Sequence, residues 1–136
     1  MNAKILLRIA AILMLLHTLG HTLGALTWKD APNAAVKHVI DGMLNNRFDF
    51  FGKSVSIGDF YAGYGYSMIG VLLMVSILLW LLSTEPVRRM MLVMGLFLLF
   101  LAVIESIYFF HFPAGLSFVA GLVTLLAYGR TRATAN

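Results

Sequence analysis

Four long apolar stretches, near residues 5–27, 60–82, 87–110 and 114–128, fill most of this 136-residue chain. A helix needs about 20 apolar residues to cross the ~30 Å hydrocarbon core of a bilayer. The expected fold class is therefore an all-α integral membrane protein. Specifically, the order of spans and turns suggests an antiparallel up-down four-helix transmembrane bundle in a single domain, residues 1–136. The fourth stretch is the shortest and is expected to stand upright or thin the bilayer locally.

Composition supports a lipid solvent. The chain is 60% hydrophobic and 12% charged, with a mean hydropathy of +0.88; soluble domains carry about twice that charged fraction. The core must then come from helix packing in lipid rather than from water-driven burial. There are no cysteines, which excludes disulfides, thiolate metal sites and covalent haem attachment.

The net charge of +4 reads as topology, not as nucleic-acid binding, because the basic residues flank the spans. Lys4, Arg8, Arg88, Arg89, Arg130 and Arg132 fall on one side of an even number of spans. Lys29, Lys37, Arg47 and Lys53 fall on the other, diluted by Asp30, Asp41 and Asp49. Both termini are expected to be cytoplasmic. Span 1 has a basic start, but its apolar run is too long and lacks an Ala-x-Ala site, so it is expected to stay attached rather than be cleaved.

Span 1 ends near Trp28, an aromatic at interfacial depth. The 28–58 segment is long for a simple connection. Asn33 is placed to cap a helix, and Val36, Val39, Ile40, Met43 and Leu44 share one helical face. Residues 33–46 are thus expected to form a short amphipathic helix that lies on the outer surface or lids the bundle. Arg47-Phe48-Asp49-Phe50-Phe51-Gly52 then reads as an aromatic cluster among headgroups. Ser56-Ile57-Gly58-Asp59 has the form of a capping box opening span 2. Pro86 is expected in the first turn of span 3, and Pro113 opens span 4.

Few residues in the spans carry chemistry. His17 and His21 are one turn apart, on a stripe with Gly20 and Gly24 that lets a neighbouring helix approach. Glu105 lies in span 3, and His111 and Tyr108 at that span's outer end. Ionisable groups in lipid usually face the bundle interior. At ~1.5 Å per residue, His17 lies about 18 Å and His21 about 24 Å from the inner end of span 1, and Glu105 about 25 Å along span 3. Asp59 and Tyr66 stand on a small-residue stripe of span 2, and span 4 offers Ser117, Ala120, Gly121 and Thr124. The polar residues gather in the outer half, above an almost wholly aliphatic inner half. The expectation is a polar pocket opening outward under residues 33–52.

His17, His21, Asp59, Tyr66, Glu105, Tyr108 and His111 are the candidate ligand-binding residues. The plain readings are pairing of His21 with Glu105, Asp59 as the last residue of its capping box, and the tyrosines as an interfacial belt, Tyr66 being the one most expected to point inward. The methionines are packing. His17, His21 and Glu105 also form an acceptable zinc or iron set. Both histidines share a face, so they offer haem at most one axial ligand. No cofactor is expected, with metal or haem left open.

The motifs His17-Thr18-Leu19-Gly20-His21-Thr22-Leu23-Gly24, Arg47-Phe48-Asp49-Phe50-Phe51-Gly52 and Asp59-Phe60-Tyr61-x-Gly63-Tyr64-Gly65, in that order, resemble a family of small bacterial four-span membrane proteins of unknown function. The resemblance implies a bacterial inner-membrane location and brings no activity. Three functions stay open: binding of a small apolar, quinone- or isoprenoid-like molecule; a structural or accessory subunit, as a homo-oligomer or with a membrane-protein partner; and an intramembrane isomerase or metal-dependent enzyme.

Overall fold

The computed structural model describes residues 2–133, with side chains to Thr131; the Arg132 side chain counted above lies outside the described residues. Helices α1 (Ala3–Thr27), α3 (Ile57–Thr84), α4 (Arg88–Tyr108) and α5 (His111–Ala133) carry the four apolar stretches. Each is long and apolar enough to cross a membrane. Between α1 and α3 lie α2 (Ala34–Asn45) and strands β1 (Arg47–Phe50) and β2 (Lys53–Ser56). The chain divides into two compact units, Met1–Leu19 with Val71–Asn136, and Gly20–Gly70.

The first unit is built on large aliphatic side chains. Leu7, Met14, Leu72, Leu79, Met91 and Leu98 are fully buried. The residues between them, such as Leu96, Phe100 and Val103, are exposed, as a lipid-facing surface requires. Met91 and Met94 pack inside while Met90 faces out. Helices α4 and α5 approach each other closely. A Cβ on Gly95 would stand 3.4 Å from the Gly121 carbonyl, and one on Gly121 would stand 3.2 Å from the Gly95 carbonyl. Glycine on both helices leaves room for the two backbones to meet this closely. At the helix ends the Arg8 guanidinium lies over Trp80 at 5.0 Å, and that of Arg88 over Tyr128 at 4.3 Å. Each pair joins a cation to an amphipathic ring.

The second unit holds the non-spanning structure. Asn33 caps α2, its side chain accepting from the Val36 N–H at 3.0 Å. The aromatic cluster of residues 47–52 forms within an antiparallel hairpin that the sequence did not announce, with Arg47 opposite Ser56 and Phe50 opposite Lys53. Its turn is Phe51-Gly52, with φ of 53° and 78°, the paired positive angles of a type I′ turn. Glycine adopts that angle freely, whereas Phe51 does so at a cost of about 1 kcal/mol. Phe48 and Phe50 pack against Phe60, at 6.3 and 5.3 Å between ring centroids. The capping box is present in both directions: the Asp59 N–H donates to Ser56 Oγ at 3.1 Å, and the Ser56 N–H to Asp59 Oδ2 at 3.0 Å. It starts α3 at Ile57, three residues ahead of the apolar run. Two boundaries also shift at α4. Pro86 precedes its N-cap Val87 instead of entering the first turn, and His111 opens α5 rather than ending the span before it.

Candidate functional site

Three polar side chains from three helices close on one another within the first unit. His17 of α1 places Nε2 3.3 Å from Glu105 Oε1 of α4. Its Nδ1 lies 3.2 Å from Ser117 Oγ of α5. Their exposures are 4% for His17, 6% for Glu105 and 0% for Ser117, so the cluster is buried among the three helices. A neutral imidazole offers one donor and one acceptor. With Nε2–H donating to Glu105, Nδ1 accepts from the Ser117 hydroxyl, and both ring nitrogens are satisfied. Glu105 Oε2, by contrast, is buried with no hydrogen-bond partner.

Glu105, expected to pair with His21, pairs with His17. His21 instead lies 3.0 Å through Nε2 from the Gly65 carbonyl in the second unit. A carbonyl only accepts, so His21 Nε2 carries the proton. Gly20 and Gly24 were expected to admit a neighbouring helix, yet a Cβ on either would meet nothing within 4 Å. The residue that permits the close approach is Gly65, where a Cβ would stand 3.5 Å from Ala25 Cβ.

The remaining candidates lie apart from the cluster. Asp59 belongs to the capping box and receives Arg47 Nη1 at 3.2 Å. Tyr66, expected to point inward, is 54% exposed. Tyr108 is exposed at the end of α4, and His111 is exposed at the start of α5. The metal set His17, His21 and Glu105 is not assembled: among the described residues no three His, Asp or Glu side chains gather as a metal ion requires. Both ring nitrogens of His17 are already engaged.

Two polar residues escaped attention in the sequence. Ser117 appeared only as part of a small-residue face, although it is the third member of the cluster. Ser76 sits in the inner half read as aliphatic; it is buried and donates to the Ala11 carbonyl at 2.8 Å. The signal in both cases was an isolated serine in an aliphatic run. The order Ser117–His17–Glu105 suggests an activated nucleophile. Full burial of Ser117 leaves no room for an acyl group, and the contacts suit a polar clamp across α1, α4 and α5.

Two open grooves lie in the second unit, between the hairpin and the first turns of α3. One, of about 440 Å³, is lined by Arg47, Lys53, Ser54, Asp59 and Tyr66 among others. The other, of about 300 Å³, shares Lys53 and Asp59 and extends to Tyr64 and Ser67. No protein-family profile, curated protein or solved structure matches the chain.

Proposed function

We propose that this protein is a membrane-embedded binding protein for an amphiphile whose headgroup donates a hydrogen bond to Glu105. The carrying observation is Oε2 of that residue, a buried acceptor without a donor. Buried polar atoms are ordinarily paired, and leaving one unpaired costs about 1–3 kcal/mol. A hydroxyl donor on an apolar body, such as a quinol or an isoprenoid alcohol, supplies what is missing. In this reading the helices run up and down through a bacterial inner membrane, with both termini cytoplasmic and residues 28–58 on the opposite side. Native mass spectrometry of the purified chain should show a co-extracted apolar species. Glu105→Met, which keeps length and removes the acceptor, should lower its occupancy about ten-fold or more, with helicity checked by circular dichroism. Equal occupancy in a folded Glu105→Met protein overturns the reading.

A second reading, an accessory subunit, is favoured by one observation. Gly20, Gly24, Gly63 and Gly70 all lie in the second unit with open space where a Cβ would be. Small-residue surfaces of this kind suit close helix association. On this reading the detergent-solubilised protein is larger than a monomer by light scattering, and Gly24→Leu reduces it to a monomer without loss of helix. A monomeric parent with no co-purifying protein counts against it.

A further inference from the structure

We infer that the groove between the hairpin and the start of α3 is a headgroup site for an anionic phospholipid, with Lys53 as its phosphate-binding cation. The depth follows from length. α3 has 28 residues, and at 1.5 Å each it spans about 42 Å, the thickness of the hydrocarbon core together with its headgroup layers. The first turns of α3, and the groove against them, therefore fall at headgroup level. The aromatic surroundings agree: Tyr61 and Tyr64 are exposed here, and Trp28 packs on Tyr61 at 4.9 Å. The hairpin tip adds Phe51, 95% exposed, the kind of ring that settles in this layer.

Charge selects the sign of the ligand. Arg47 is committed, its Nη1 to Asp59 and its Nε and Nη2 to Ser54. Asp59 is neutralised by that arginine and by the Ser56 N–H. Lys53 lines both grooves and is exposed. Among the described residues no ion pair engages its ammonium group. Among the side chains lining the larger groove, Arg47 and Asp59 offset each other and the Lys53 charge is left over; Asp49, on the same hairpin, lines neither groove and accepts from the Gly52 N–H at 3.2 Å. Gly63, where a Cβ would meet nothing within 4 Å, leaves the helix surface below it free for a chain. A phosphodiester with an attached acyl chain fits both features, and phosphatidylglycerol is the simplest example.

The full-length protein in detergent is equilibrated with phosphatidylglycerol or with phosphatidylcholine of the same chains, and retained lipid is counted by native mass spectrometry. Phosphatidylglycerol should be retained in preference. Lys53→Ala should lower its retention about five-fold, the effect of one basic residue at an anionic surface, and Lys53→Arg should restore it. The water-soluble headgroup glycerophosphoglycerol should fail to displace the lipid. Equal retention of the two lipids by the parent, equal phosphatidylglycerol in the parent and Lys53→Ala, or displacement by the free headgroup would each overturn the assignment. Lys53→Ala should leave in place the species lost from Glu105→Met, so the two sites fail or stand separately.

Discussion

Replacing His17 by leucine should destabilise the protein by about 3 kcal/mol, measured by reversible unfolding in mixed micelles. The mutation removes the donor at 3.3 Å from Glu105 Oε1, while Oε2 already lacks a partner. Glu105 then loses that partner in a site only 6% exposed. Removing one member of a buried ionisable pair costs about 3–5 kcal/mol in soluble proteins. Ordinary polar contacts between membrane helices average about 0.6 kcal/mol, so the outcome discriminates between two physical situations. A large loss means that His17 compensates a carboxyl which has no other adequate partner. A loss below about 1 kcal/mol means that the clamp is an ordinary interhelical contact. The double variant His17→Leu with Glu105→Leu should recover most of the loss, because an apolar pair of similar volume leaves no buried carboxyl uncompensated, and the Ser117 hydroxyl can turn back to a carbonyl of its own helix.

Gly95→Ile should also be costly, about 1–3 kcal/mol in the same assay, by overpacking. A Cβ at residue 95 would stand 2.6 Å from Leu125 Cδ2, 2.7 Å from Leu125 Cγ and 3.4 Å from the Gly121 carbonyl. The leucine can rotate part of the way, but the carbonyl belongs to a helix backbone and cannot. The Cβ alone stands near ordinary contact distance from that carbonyl, so the branched carbons beyond it are what press the two helices apart, at the expense of dispersion contacts along their seam. Combining Gly95→Ile with Leu125→Ala should recover only the side-chain part of the loss. Full recovery would show that the backbone approach of α4 and α5 carries no weight.

Local features were legible from residue order where they depended on neighbours in the chain. Ser56 and Asp59 are three residues apart, so their reciprocal cap is written in the sequence, as is the cap of Asn33 on α2. The hairpin was not. Its turn places Phe51 at positive φ, a conformation that phenylalanine seldom adopts, and the signals that usually mark such turns are Asn-Gly and Asp-Gly. The flanking strands are only four residues each, too short for alternation to stand out.

The candidate site was half legible. Hydropathy shows that His17, His21 and Glu105 are embedded in apolar helices, and the cost of burying polar groups there requires that they find partners. That conclusion needs nothing beyond the sequence, and neither do the four apolar helices, since both follow from the free energy of transferring each segment. Partner choice is different. His17 and His21 are separated by one turn, and 3.6 residues per turn leaves them on nearly the same face. Only the rotation of each helix about its axis, set by packing of residues such as Leu7, Met14 and Leu98, decides that His17 meets Glu105 and Ser117 while His21 turns to the Gly65 carbonyl. The same holds for the glycines: residue type shows that Gly24 and Gly95 each permit close approach, and tertiary packing alone decides that Gly95 uses it.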